Sequence, residues 1–124
     1  MSMNYGLTTF LGWISAKSYK LVPKVVSATT FNINDTTPWY TSWVWLNGTA
    51  NGTATLVNPI SNGVVLEIKN CTAGFNLTVN AGSAIINVGG AIGIVSSVTL
   101  DPGGTIYMVP DGAYLQVIDW FQPA

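Results

Sequence analysis

Residues 55–118 read TLVNPISNGVVLEIKNCTAGFNLTVNAGSAIINVGGAIGIVSSVTLDPGGTIYMVPDGAYLQVI, and this stretch decides the fold. Short apolar runs are cut by Asn62-Gly63, Ala81-Gly82, Gly89-Gly90, Pro102-Gly103-Gly104 and Asp111-Gly112. Such spacing is a ladder of strands and tight turns. In residues 64–69, Glu67 and Lys69 take one face while Val64, Leu66 and Ile68 take the other, so this strand has one wet side. Phe75, Leu77 and Val79 alternate with Asn76, Thr78 and Asn80 in the same way. Residues 85–86 and 92–100 follow as further strands. Residues 105–109 and 113–118 form the clearest hairpin, across Pro110-Asp111-Gly112.

Upstream, residues 25–33 (VVSATTFNI) read as a strand and residues 34–38 (NDTTP) as a turn. In WYTSWVWLNG, Trp39, Thr41, Trp43 and Trp45 share one face at period two. Two readings of that face stand open. One is an aromatic platform for sugar rings or an anchor into another protein; the other is a core or intersubunit strand, because Trp buries a large area. Asn47-Gly48 and Asn51-Gly52 suit turns that need positive φ. Residues 53–59 then form a strand ended by Pro59. Residues 1–26 hold three of the four lysines and no acid, and read as an N-terminal arm anchored by Trp13. A helix around residues 10–19 fits only loosely, and Pro23 stops anything that forms there. Trp120 and Phe121 add two aromatics at the other end.

The expected fold is all-β: an antiparallel β-sandwich or barrel-like domain of about nine or ten strands, residues 27–124, preceded by the arm of residues 1–26. At 124 residues one domain is expected.

Only 7% of residues are charged, with no Arg and no His, where roughly 25% is usual. Charge normally keeps a domain of this size soluble. The sharper reading is a protomer whose apolar surface is covered by identical neighbours or by a larger particle. Net charge is −1, and Lys17, Lys20 and Lys24 are too sparse to track phosphates, so no nucleic-acid partner is expected. No membrane span is expected either: residues 84–100 are uncharged but interrupted by glycines. LTTFLGWISA has no preceding Lys or Arg and does not read as a secretory signal. The single Cys71 reads as an inert buried thiol.

Catalytic chemistry lacks its usual groups. Triads and common zinc sites need His or several Cys, and neither is present. Asp35, Glu67, Asp101, Asp111 and Asp119 suggest no glycosidase pair, since Asp101 and Asp111 sit in turns. The glycine-rich stretches lack the Gly-Lys-Ser/Thr ending of a phosphate loop. No enzyme, cofactor or metal is expected. Asn-x-Ser/Thr triplets at Asn34, Asn47, Asn51, Asn70 and Asn76 are potential glycan acceptors. A chain rich in Asn and Thr also yields them by chance.

The order of Pro59 and Asn62-Gly63, "EIKN.T" (residues 67–72), "NLTV" (residues 76–79) and "VTLDPGGTIYMVPDGAYLQVI" (residues 98–118) resembles a small β-module of bacteriophage virion proteins. That module recurs in tail fibres and related appendages. Here Tyr114 follows Asp111-Gly112 where a Trp is more typical. The resemblance covers about half the chain and implies a structural protein located in the virion, with itself as first partner in a homotrimer and capsid or tail proteins as others. A small capsid decoration or cement protein, or a fibre-base protein, is the first expectation. A carbohydrate-binding module for host glycan is the second, and a glycosylated surface protein of an archaeal virus the third. The candidate interaction residues are Trp13, Trp39, Trp43, Trp45, Trp120 and Phe121.

Overall fold

A computed structural model describes residues 22–33, 40–46, 49–57, 65–82 and 85–123. Every element in it is a strand: β1 (Pro23–Val26), β2 (Thr30–Ile33), β3 (Ser42–Trp45), β4 (Gly52–Leu56), β5 (Leu66–Asn70), β6 (Leu77–Asn80), β7 (Ile86–Gly89), β8 (Gly93–Val95), β9 (Ser97–Leu100), β10 (Thr105–Pro110) and β11 (Leu115–Phe121). They form a seven-stranded sheet, β1-β3-β5-β10-β11-β7-β8, and a four-stranded sheet, β2-β4-β6-β9. Between the sheets lies one core. The larger sheet contributes Trp43, Trp45, Leu66, Ile68, Ile106, Met108 and Leu115, and the smaller one Ile33, Ala54, Leu56, Leu77, Val79, Val98 and Leu100. The all-β sandwich is therefore as expected.

The connectivity is not. From β1 to β6 the chain alternates between sheets, and each strand lies parallel to the one two elements earlier. Parallel neighbours need a crossover of a dozen or more residues. Here the crossover is a strand of the opposite sheet with a turn on either side, so no helix is required. The result is three stacked β-coils, built as in β-solenoids. Pro23 lies beside Ser42 and Ser42 beside Glu67 in one sheet; Thr30 lies beside Thr53 and Gly52 beside Leu77 in the other. The sheets are thus mixed, not antiparallel.

Antiparallel pairing begins where the stack ends. Strands β9 and β10 run back along β6 and β5. The expected hairpin of β10 and β11 is present, with a register shift between Tyr107 and Met108 that leaves Ile118 as the extra residue of a bulge. Gly112, at φ 94°, supplies the left-handed residue of its turn. β7 then joins β11 in parallel, and β8 closes the sheet edge.

Eleven strands are found among the described residues against the nine or ten expected, because two apolar runs break. Residues 25–33 divide at Ser27 and Ala28, sending β1 and β2 to different sheets, and residues 92–100 divide at Ser96 between β8 and β9. Hydrophobic periodicity marks extended chain but not a change of sheet. β1 belongs to the sandwich: it begins at Pro23, two residues before the strand read from sequence at 25–33 and within the span 1–26 read as the arm. The rest of the arm, the helix considered at residues 10–19, the 34–38 turn, Asn47-Gly48, Pro59 and Asn62-Gly63 lie outside the described residues.

Two side chains fix the coil corners. Trp45 is fully buried, and its Nε1 donates to the Ala28 carbonyl of the preceding coil at 2.8 Å. Gly52 makes room for that indole: a Cβ at residue 52 would lie 2.8 Å from Trp45 Cε2. Gly52 is thus required for close approach inside β4, not for the positive φ expected of it. Asn70 is equally buried. Its Nδ2 donates to the carbonyls of Phe75 (2.7 Å) and Leu100 (2.9 Å). Its Oδ1 accepts from Thr72 N (3.0 Å) and Thr72 Oγ1 (2.7 Å).

Candidate functional site

The aromatic candidates among the described residues do not converge. Trp13 and Trp39 lie outside the described residues. Trp43 and Trp45 are 5% and 0% exposed and belong to the core. Trp43 stacks on Phe31 (centroids 6.1 Å apart), meets Tyr40 edge-on at 5.8 Å, and donates from Nε1 to the Tyr40 carbonyl at 3.3 Å. Neither indole face is available for a sugar ring. Of the two readings offered by the sequence, the structure places these two tryptophans in the interior. Trp120 packs partly against the core beside Ile106, and its Nε1 is sealed without a partner among the described residues. Phe121, on the opposite side of β11, is 59% exposed.

The outer face of the seven-stranded sheet carries a polar row that sequence analysis did not assemble. Ser42, Glu67, Tyr107 and Asp119 are successive cross-strand neighbours on β3, β5, β10 and β11. Ser42 Oγ donates to Glu67 Oε1 at 2.6 Å. A hydrogen bond to Glu67 raises the Tyr107 pKa, helped by partial desolvation and by the negative charges of Glu67 and Asp119. Tyr107 is therefore held in its protonated form as a donor to Glu67. Glu67 and Lys69 share this outer side as anticipated. Asp111 acts locally: its Oδ1 accepts from Ala113 N (2.9 Å) and Tyr114 N (2.7 Å), and its Oδ2 from Gln116 Nε2 (2.8 Å). These bonds, that to Gln116 foremost, hold its carboxyl below the usual range. The row was hidden because its members lie far apart in sequence and only register brings them together.

The outer face of the four-stranded sheet is different. Thr30, Thr53, Thr78 and Thr99 form one unbroken cross-strand row on β2, β4, β6 and β9. Asn32, Thr55, Asn80 and Ser97 form a second row two residues along each strand. The residues between them point inward: Phe31 is half-buried, and Ala54, Val79 and Val98 are buried. The signal in the sequence was the repeated tripeptide TFN, TAT, TVN, SVT. Its meaning depends on a register that spacing did not disclose.

Among the described residues, eight large apolar side chains remain exposed. Val25, Leu46 and Val57 lie in or beside β1, β3 and β4, and Ile85, Ile92, Ile94, Ile118 and Phe121 lie around β7, β8 and β11. Cys71 is exposed, contrary to the buried thiol expected. It directly follows Asn70, whose side chain turns into the core, so strand alternation sends the thiol outward. Among the acceptor triplets, Asn70 is sealed by its four hydrogen bonds. Asn51 and Asn76 are exposed neighbours, Asn76 N donating to Asn51 Oδ1 at 2.9 Å.

Among the described residues no group of three or more His, Cys, Asp or Glu side chains is placed to hold a metal ion, and no helix is long and apolar enough to cross a membrane. No protein-family model matches the chain, and no curated protein matches it in sequence.

Proposed function

We propose that this chain is a non-enzymatic structural protein of a virion: a small homo-oligomeric, trimeric protein that decorates or cements a capsid or forms the base of a fibre. The observation that carries this reading is the exposure of eight large apolar side chains among the described residues of a chain with only 7% charged residues. Soluble monomers rarely leave such surface uncovered without a partner for it. The sandwich supports the same reading, since among the described residues its sheets end at β1, β8, β2 and β9, and a sheet edge accepts a further strand. The resemblance of residues 55–118 to phage virion modules supports a location in the virion.

Two measurements test the proposal. Light scattering of the purified chain is expected to give three times the protomer mass, and a monodisperse monomer at high concentration overturns the oligomer. Particles purified from the chain's natural source are expected to contain it as a stoichiometric component. Its absence from such particles overturns the virion assignment even if the chain is trimeric. The arm is tested by removing residues 1–21, since β1 begins at Pro23. The shortened chain should keep its oligomeric mass and no longer join the particle.

A further inference from the structure

We propose that the outer face of the four-stranded sheet binds the ordered water lattice at the surface of ice. This goes beyond the virion reading and does not rest on it.

The inference starts from geometry. Four strands in register place two rows of four short polar side chains on one face. Neighbouring strands lie about 4.8 Å apart, and every second residue along a strand is about 6.7 Å on. The face is therefore a net of hydroxyl and amide groups, three strand intervals wide and one two-residue interval long. All eight positions are Thr, Asn or Ser, with no charged and no large apolar member. Threonine dominates, and its branched side chain is stiff at χ1, so its hydroxyl and methyl are held in fixed places before anything binds. Of the eight side chains, Asn80 alone hydrogen-bonds within the described residues, its Oδ1 accepting from Gly82 N at 3.1 Å. Among the described residues the other seven side chains have no hydrogen-bond partner.

The choice of ligand follows from what such a face can hold. One exposed hydroxyl gains almost nothing by exchanging water for another partner, because the net worth of a hydrogen bond is about 1 kcal/mol even when well made. A small soluble ligand would not be retained. A protein partner would need an anchor such as Trp, Tyr or Arg, and the face has none. Nucleic acid and anionic membranes need positive charge, which is also missing. Stacking on sugar rings needs an exposed aromatic. What remains is a surface that repeats in two dimensions and meets many groups at once, so that weak contacts add in one binding event. The oxygens on a prism face of hexagonal ice repeat with closely similar spacings in both directions. A Thr hydroxyl continues that oxygen network, and its methyl fills the hollow between oxygens.

The test uses the full chain. Ice recrystallisation in frozen sucrose solution and the shape of single ice crystals in a nanolitre osmometer are followed for three proteins. Wild type is expected to arrest grain growth and facet the crystals. A Thr53→Lys/Thr78→Lys variant replaces the two central outward threonines and should need at least about tenfold more protein for the same arrest. Lys69→Ala, on the other sheet and outside the exposed apolar side chains, should match wild type. Circular dichroism and light scattering establish that all three share one fold and one oligomeric state. Wild type behaving like an equal mass of serum albumin overturns the proposal. So does a double variant with the native fold and undiminished arrest. Retention on crystalline cellulose or chitin with no effect on ice also overturns it, by giving the lattice to a polysaccharide.

Discussion

Replacing Asn70 by Asp changes one group in a sealed corner and tests how the coils are tied to the returning strands. The wild-type amide uses its whole capacity: two donors and two acceptor sites, four bonds between 2.7 and 3.0 Å. Asp keeps the acceptor side toward Thr72 and loses both donors toward the Phe75 and Leu100 carbonyls. If the new acid is protonated, its hydroxyl restores one of those bonds, and the other carbonyl is orphaned at about 1–3 kcal/mol. If it is ionised, both carbonyls face a buried negative charge. Burial raises a carboxyl pKa by up to about 3–5 units, each worth about 1.36 kcal/mol. Asn70→Asp should therefore cost about 1–3 kcal/mol at pH 4 and at least about 4 kcal/mol at pH 7.5, a large part of a typical 5–15 kcal/mol. The sign follows from the folded pKa lying above the unfolded value near 3.9. The variant is least impaired below that value and loses stability as pH rises through its folded pKa. Urea unfolding followed by tryptophan fluorescence, reporting on Trp43 and Trp45, measures both limits against wild type. A loss under about 1 kcal/mol at pH 7.5, or equal losses at both pH values, would refute the sealed corner.

Gly52→Ala forces a methyl against the Trp45 indole and should cost about 1–3 kcal/mol. Trp45→Phe should recover part of that loss in a double-mutant cycle, and strict additivity would show that the two residues do not touch. Glu67→Ala removes the main cause of the raised Tyr107 pKa, so ultraviolet titration should show one tyrosine ionising at lower pH than in wild type. Because the native state holds that proton more tightly, the contribution is present below the unfolded tyrosine pKa near 10 and disappears as pH rises through the folded value. An unchanged titration curve would dissolve the Ser42-Glu67-Tyr107 row. Native protein should react with Ellman's reagent at Cys71 without denaturant, at a rate near that of the unfolded chain; reaction only after unfolding would contradict the outward thiol.

Side-chain alternation was legible wherever one face of a strand is wet. The inward set Leu66, Ile68, Leu77 and Val79 and the outward Glu67 and Lys69 follow directly from period two. The β10–β11 hairpin was legible because Asp111-Gly112 marks its turn and no other run intervenes. The coil stack was not legible. Successive coils advance by unequal steps, from Pro23 to Ser42 and from Ser42 to Glu67, so no fixed period appears. The residues that stack also differ in kind. Val26, Trp45 and Asn70 occupy one column, as do Lys24, Trp43 and Ile68. An Asn above a Trp is no repeat to a reader of sequence, yet both are corner residues that donate to a backbone carbonyl, Trp45 to Ala28 of the preceding coil and Asn70 to Phe75 across its own turn.

The same mismatch explains why the polar surfaces escaped notice while the tryptophans drew attention. A Trp is conspicuous in sequence because it is large, and for that reason it is driven inward unless a partner covers it. Trp43 and Trp45 obey that rule. Threonine in a strand is unremarkable, since it is favoured there anyway. Only pairing turns Thr30, Thr53, Thr78 and Thr99 from four ordinary residues into one row. The coil stack aligns these positions to hold its core together, because each inward Ala54, Val79 and Val98 fixes the outward neighbours on either side. The outer lattice is thus a consequence of core register. A change that slips one coil by a residue would exchange its inner and outer sets, bury the threonines and lose the face and the fold together. For that reason the lattice is best probed with outward substitutions such as Thr53→Lys, which leave the inner set untouched.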